Sequence, residues 1–519
     1  VTFFDFTHLA PWDIFSTLTN PTIMRYLLGI DIGSSSVKAA LLNIESGRPV
    51  ASAFSPDSEM TISAPHPGFA EQHPDSWWHE LSHALDRLRK QKAFSGEEVA
   101  AIGISYQMHG LVVVDSNGRP LRESIIWCDS RAVGIGNEAF RALGERFCLS
   151  HYLNSPGNFT ASKLSWVREN EPDVFARIHK AMLPGDYISY RLTGRMATTV
   201  SGLSEGIFWD YLSEGPAQEL LAHYRIDPAL LPDLVPQFGE QGRLTVEAAR
   251  ALGLKAGTPV TYRAGDQPNN AYSLKVLEPG EVAATAGTSG VVYGVTDRPE
   301  YDEASRVNAF VHVNHETAAP RYGVLLCING TGILNSWLRR NVFRGAGYEE
   351  MNALAATAPI GADGLRLYPF GNGAERVLGN LDTGSFMEGL HFNRHSAAHL
   401  ARAAQEGIVF ALQYGMDVMR DMGMTLRTVR AGHANMFLSP VFSKAFADVT
   451  GCTLELYDTD GAQGAARGAG VGAGLYADAD ASHAGLDRIR IIEPSAKDAS
   501  AYADAYAEWK EGLLRRIGG

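Results

Sequence analysis

The chain has 519 residues, 45% hydrophobic and 20% charged, with 53 glycines and a formal net charge of −13; this length exceeds one ordinary core and suggests two or three domains. The charge is spread along the chain with no block of Lys and Arg to follow a phosphate backbone, so nucleic acid is excluded as an expected partner. No apolar run reaches the ~18 residues of a membrane span, and the four cysteines, Cys128, Cys148, Cys327 and Cys452, form no C-x-x-C pair, which argues against a zinc knuckle or disulfide framework and for a reducing, cytoplasmic setting.

Residues 1–25 are apolar and aromatic but have neither a basic start nor a small-residue cleavage site, so they do not read as a signal peptide. Residues 1–25 are set apart as an N-terminal extension, and Met24 is a candidate start, which would make Val1 to Ile23 a non-native read-through. Two short runs, 26–32 and 37–42, joined by Gly33-Ser34-Ser35-Ser36, predict a β-hairpin. Residues 76–89 have the periodicity of an amphipathic helix. Ala101-Ile102-Gly103-Ile104-Ser105-Tyr106 predicts a buried strand, as does Val260-Thr261-Tyr262, and a domain boundary is placed at 270–275. Residues 282–286 and 291–295, joined by Gly287-Thr288-Ser289-Gly290, repeat the first hairpin about half a chain later, which suggests two related halves. Helices are expected over 399–419 and 502–516, and the Ala/Gly-rich stretch 461–474 reads as an ordered helix packed closely on a neighbour.

Gly29-x-Asp31-x-Gly33-Ser34-Ser35-Ser36 sets a carboxylate at a strand end beside small turn residues. Backbone N–H groups there can approach phosphate oxygens, and Asp31 can hold Mg²⁺. An ordinary hairpin would look the same, but the second copy favours a nucleotide held between two lobes. Asp266, in Arg263-Ala264-Gly265-Asp266-Gln267, follows an apolar strand near the boundary and is the candidate general base for phosphoryl transfer; a turn aspartate capping local amides is the plainer alternative. Gln107-Met108-His109-Gly110 ends a strand, where open α/β sheets present ligand-binding residues. Gln107 and His109 offer polar groups to a sugar, and Trp127 and Asp129 an aromatic face and a carboxylate, although each also suits packing.

His79-Glu80-Leu81-Ser82-His83 satisfies H-E-x-x-H. Trp77, Trp78, Leu81, Leu85 and Leu88 mark that helix's buried side and no third ligand follows, so a solvated His pair is expected rather than a zinc hydrolase. No G-x-x-x-x-G-K-[ST], H-R-D or D-F-G motif is present, and Gly468-x-Gly470-x-Gly472-x-Gly474 lacks the strand and acidic partner of a dinucleotide fingerprint.

Gly29-Ile30-Asp31-Ile32-Gly33-Ser34-Ser35, Pro67-Gly68-Phe69-Ala70-Glu71-Gln72, Gln107-Met108-His109-Gly110, Trp127-Cys128-Asp129-Ser130-Arg131, Ala161-Ser162-Lys163-Leu164, Leu183-Pro184-Gly185-Asp186-Tyr187, Gly265-Asp266, Gly287-Thr288-Ser289-Gly290 and Gly464-Ala465-Ala466-Arg467-Gly468 together resemble the FGGY carbohydrate kinases over nearly the whole chain. The resemblance implies an α/β, actin-like ATPase (ribonuclease H-like) fold of two lobes, each on a mixed five-stranded sheet flanked by helices. Sugar and ATP would meet in the interdomain cleft, with residues 26–273 as the sugar lobe and 274–519 as the nucleotide lobe ending in a C-terminal helix. It further implies Asp266 as catalytic base, and Asp31 and Asp266 at the Mg²⁺ site. Gln107, Met108, His109, Trp127, Asp129 and Gln267 would lie on the sugar, and Gly33, Ser34, Ser35, Lys38, Gly287, Thr288, Ser289, Gly332, Gly432, His433 and Asn435 on the nucleotide. The Gln-Met-His-Gly string with Trp127 and Asp129 is most similar to the family's xylulose kinases, implying conversion of D-xylulose to D-xylulose 5-phosphate. Ribulose, fuculose, rhamnulose, gluconate and glycerol, which relatives phosphorylate, stay open, as do a silent sugar-binding regulator and a homodimer.

Three segments depart from the family's usual pattern. Gln267-Pro268-Asn269-Asn270 stands where Asn-Ala-Ala follows the base, Gly371-Asn372-Gly373-Ala374-Glu375-Arg376 replaces Ser-Gly-Glu-Arg-Thr-Pro, and Ala431-Gly432-His433-Ala434-Asn435 replaces Gly-Gly-Gly-Ala. The last two leave the adenine contacts open.

Overall fold

Small residues at the turn let the first hairpin close as expected in the computed structural model, which describes residues 26–518; the reading of residues 1–25 lies outside them. β1 (Tyr26–Ile32) pairs antiparallel with β2 (Val37–Asn43), and β2 with β3 (Pro49–Ser55). The near-continuous apolar run of β1 is buried on both faces, as a strand must be in the middle of a sheet covered on both sides. α1 (Pro74–Gln91) starts at a His73 cap with proline in its first turn and buries Trp77, Leu81, Leu85 and Leu88. It returns the chain to β4 (Val99–Tyr106), parallel to β1. A long excursion carries α2 (Thr160–Asn170) and the short α3 (Val200–Glu205) before β5 (Phe238–Arg243), β6 (Pro259–Gly265) and α4 (Asp266–Ser273). The first sheet has the order β5-β6-β4-β1-β2-β3.

The second half repeats this plan with β7 (Glu281–Ala286), β8 (Gly290–Thr296), β9 (Asn308–Val311), β10 (Tyr322–Ile328), α5 (Gly332–Asn341), α6 (Ala397–Asp421), β11 (Thr428–Gly432), β12 (Thr453–Tyr457), α7 (Gly461–Gly472), β13 (Arg488–Ile492) and α8 (Ala499–Ile517). Its sheet runs β9-β10-β8-β7-β11-β12-β13. The runs β3-β2-β1-β4-β6 and β10-β8-β7-β11-β12 share one pattern of two antiparallel then two parallel pairings. These are the expected five-stranded mixed sheets, but both are wider than expected: β5 and β13 pair antiparallel at the same edge, and β9 extends the second sheet at the other. Each added strand pairs backbone groups that a bare edge would leave open.

α7 belongs to the second half in sequence but packs on the first sheet. A Cβ on Gly29 of β1 would lie 1.7 Å from the Ala462 carbonyl oxygen, and one on Gly103 of β4 1.9 Å from that of Ala465. Helix and sheet approach so closely only because both positions lack side chains. The Ala/Gly-rich stretch is therefore an ordered, close-packed helix, as its small residues suggest.

Candidate active site

The parallel strands β1, β4 and β6 end level with one another, Tyr106 lying opposite both Ile32 and Gly265. Asp31, Gln107 and Asp266 therefore gather at one sheet edge, the carboxyl ends where α/β sheets bind ligands. Asp266 opens α4. Burial, and then the Asp31 carboxylate, push its carboxyl up to about 7, against the pull of Gln267 N–H groups. Lys38 sits opposite Asp31 in the β1–β2 register. Asp460 caps α7 by accepting the Gln463 N–H at 2.9 Å, and burial raises its carboxyl too, with that N–H and Lys38 opposing. α4 holds the start of α7 in place: Asn269 donates to the Gly461 carbonyl at 2.8 Å and Ser273 to that of Asp460 at 2.9 Å. Mutually repelling carboxylate oxygens are the donor set a hard divalent cation prefers, so Asp31 and Asp266 fit Mg²⁺.

Among the residues expected on the sugar, His109 Nδ1 lies 2.9 Å from the Glu205 carbonyl oxygen. A carbonyl only accepts, so Nδ1 carries the proton and Nε2 is left as an acceptor. Burial, then Lys163, push the imidazole down to about 3, so it is neutral at pH 7. Its ring packs beside Phe159 and Phe310 with centroids 4.8 and 5.3 Å away, Phe310 coming from β9 of the second half. Lys163 on α2 donates to the His109 and Ile126 carbonyls at 2.9 and 3.0 Å, and burial lowers its ammonium to about 8. Both polar atoms of the buried Gln107 amide, and Oε1 of Gln267, have no hydrogen-bond partner among the described residues. Such groups call for a ligand of alternating donors and acceptors, which a polyol is. Met108 is buried against Gly265. Half-exposed Trp127 donates from Nε1 to Ser34 Oγ at 3.2 Å, tying the aromatic face to the first hairpin.

Asp129, expected on the sugar, is committed elsewhere. Its fully buried carboxylate accepts the Ala70 N–H at 2.6 Å and the Arg131 guanidinium at 2.6 to 3.0 Å. Arg131, two residues on from Asp129, lies under the Phe69 ring, 3.7 Å from its centroid, so its fork is held against the carboxylate.

Of the residues expected on the nucleotide, Gly287, Thr288, Gly332 and Asn435 gather around the second hairpin. Gly332 N–H donates to the Gly287 carbonyl at 2.8 Å and Ile333 N–H to that of Thr288 at 3.1 Å, seating the hairpin on the start of α5. A Cβ on Gly332 would lie 2.2 Å from the Gly287 oxygen, and one on Gly287 3.6 Å from Asn435 Nδ2. Ser289 faces the Cys327 thiol. Gly432 ends β11, and exposed His433 donates its N–H to Tyr457 at 2.9 Å. In the first hairpin, Gly33 N–H donates to the Ser36 carbonyl at 3.0 Å, while Ser34 and Ser35 offer carbonyls to Gln72 and Met60.

Four further residues enter the site, of which the sequence marked Glu375 and Arg376 only as part of a departing segment and Asp460 and Glu205 not at all. Glu375 is buried, raised by burial to about 7, and accepts the Asn329 N–H at 2.9 Å, so it shapes the turn leading into α5. Arg376 reaches from the second half to Gly157 and Phe159, and its charge is felt at His109. Asp460 and Glu205 complete the set. A lone acid within the small and apolar stretch Gly202-Leu203-Ser204-Glu205-Gly206-Ile207 was a signal available for the last. His79, Glu80 and His83 do cluster as potential metal ligands, but the two imidazoles are exposed on α1, as expected of a solvated pair.

Residues 26–272 match the FGGY family of carbohydrate kinases, N-terminal domain, and residues 282–475 the C-terminal domain of that family. The chain is 30% identical to a xylulose kinase of Escherichia coli (strain K12), over 94% of this chain and 98% of that one. It is 31% identical to one from Haemophilus influenzae over 78% and 81%. The crystal structure of xylulose kinase from Rhodospirillum rubrum superposes with a TM-score of 0.83 at 28% identity, covering 95% of this chain and 99% of that one. Two matched domains, the paired actin-like sheets and the carboxylates at the strand ends agree: the chain belongs to the FGGY family of carbohydrate kinases and is an ATP-dependent sugar kinase.

Proposed function

We propose that this kinase phosphorylates D-xylulose to D-xylulose 5-phosphate with Asp266 as general base, the sugar held by residues 26–273 and the nucleotide by 274–519. The observation that carries the reading is the strand register that brings Asp266 and Asp31 to the same sheet edge as Gln107 and His109, where burial raises the Asp266 carboxyl. A base poised near neutrality takes a hydroxyl proton as the oxygen attacks and still exists as carboxylate at working pH. The sugar oxygen forms its bond to the γ-phosphorus, the bond from that phosphorus to the ADP oxygen breaks, and the hydroxyl proton passes to Asp266. Mg²⁺, which Asp31 and Asp266 would hold, supplies charge neutralisation on the nucleotide phosphates when bound. His109, with Nε2 free to accept, takes a proton-donating sugar hydroxyl, while the Gln107 amide and Gln267 Oε1 meet its neighbours. The hairpin amides around Gly33 and Gly287 receive phosphate oxygens. Xylulose is favoured over other ketoses by the likeness to xylulose kinases across nearly the whole length of both chains.

The test is Mg-ATP-dependent ADP release against ketopentoses, deoxyketohexoses, gluconate and glycerol. D-xylulose should give the highest kcat/KM and Asp266→Ala should abolish turnover. A preference for another sugar would overturn the substrate, and an active Asp266→Ala variant would overturn the base.

A further inference from the structure

Glu205, at the end of α3, is 2% exposed; the Tyr106 hydroxyl lies against its side chain, which makes no other side-chain hydrogen bond among the described residues. It nevertheless touches both sides of the proposed chemistry. Its backbone carbonyl takes the His109 Nδ1–H, and its Oε2 lies 3.7 Å from the same nitrogen. That Oε2 would also lie 3.1 Å from a Cβ on Gly265, the residue before Asp266, and the same Cβ would meet Met108 Cγ at 2.6 Å. Met108 and Glu205 thus fill the side-chain space of Gly265. α3 is in turn pinned to the second sheet, for Val311 N–H on β9 donates to Ser204 Oγ at 2.8 Å. One buried side chain therefore abuts the sugar-facing pair and the strand that delivers the base, on a helix anchored to the opposite half.

We propose that Glu205 is a positioning residue for the sugar: its side chain wedges Met108 and His109 against the Gly265–Asp266 strand end and so fixes where the acceptor hydroxyl meets the base. The inference rests on the sugar-kinase reading above with Asp266 as base. A wedge acts through its shape. Burial disfavours the charged form of this carboxyl, so an amide of equal size should replace it, whereas truncation should free the His109 ring and the Met108 side chain to shift.

The experiment is calorimetric D-xylulose binding without nucleotide, together with steady-state kinetics, on the wild type, Glu205→Gln, Glu205→Asp and Glu205→Ala, each checked for an intact melting transition. Glu205→Gln should stay within about 3-fold of wild type in sugar Kd and KM, while Glu205→Ala and Glu205→Asp weaken both about 10-fold or more with the KM for ATP unchanged, as expected for a displacement of the sugar site alone. Should Glu205→Ala not fold, Glu205→Asp carries the same expectation. Wild-type sugar binding in the truncated variants, equal loss in Glu205→Gln, or a parallel rise in the KM for ATP would overturn the proposal. A wild type preferring another sugar overturns the substrate assignment instead, and the comparison is then made with that sugar.

Discussion

The carboxylate of Asp31 fills the space that a side chain at Gly461 would occupy: a Cβ there would lie 2.6 Å from Oδ2 and 2.9 Å from Cγ. The obstructed group is the end of a side chain, so it can yield without moving α7. Gly461→Ala, at the first position of α7, is therefore expected to leave the melting temperature close to the wild-type value. Turnover should fall about 100-fold as Asp31 is displaced. Calorimetry and ADP release on one preparation check this, and joint loss of stability and activity would mean that the helix itself had moved.

Asp266 works as a base only when ionised. With its carboxyl raised to about 7, kcat/KM for the sugar should climb with pH through neutrality as the proton leaves. Asp31→Asn removes the neighbouring negative charge, which lowers the Asp266 value and moves that acid limb toward lower pH, whatever else it does to the maximum rate. A pH profile of kcat/KM for both proteins decides; a wild-type profile flat across neutrality would contradict the assignment.

Asp129 predicts the opposite kind of phenotype. Removing one partner of a buried ion pair strands the other, at a cost of about 3–5 kcal/mol. Asp129→Asn removes one of the two carboxylates that Arg131 pairs with and leaves it Glu71 at 2.8 Å, so the loss should be smaller than for a stranded charge but should still lower the denaturation midpoint, while the sugar KM of the folded fraction stays at the wild-type value. A raised KM with unchanged stability would return Asp129 to the sugar site.

Glu375 acts on the nucleotide through the backbone. It accepts the Asn329 N–H at the turn whose continuation, Gly332, seats the Gly287 hairpin. Glu375→Ala should raise the KM for ATP about 10-fold and leave that for sugar unchanged, the mark of a displaced hairpin. Titrating each substrate against saturating amounts of the other separates the two.

Local chemistry made both hairpins, the long helices and the acid at the end of β6 legible in the sequence, because turn residues and apolar periodicity act over a few positions. α6 extends two residues beyond the expected 399–419 at each end, and α8 covers the expected 502–516. What the sequence hid depends on long-range contacts. Asp129 looked free to grip a polyol, and only the folded loop shows the Arg131 fork closing on it. Glu205 carries no motif, and its place becomes visible once β4, β6 and α3 meet at Gly265. The edge strands β5, β9 and β13 hold no pattern that sets them apart from loop-borne runs, so the sheets came out wider than their five-stranded cores.

The late arrival of α7 bears on how the chain is made. Leu27, Ala101 and Tyr262 of the first sheet bury against Ala462, Ala465 and Ala469 of α7. On the ribosome, that sheet is complete about 200 residues before its cover emerges, a delay of roughly ten to forty seconds at ~5–20 residues per second. Through that interval an apolar face with notches at Gly29 and Gly103 stands open, and a nascent chain stalled there is a substrate for chaperones. Dividing the gene between the halves is therefore expected to leave the first sheet with that face uncovered.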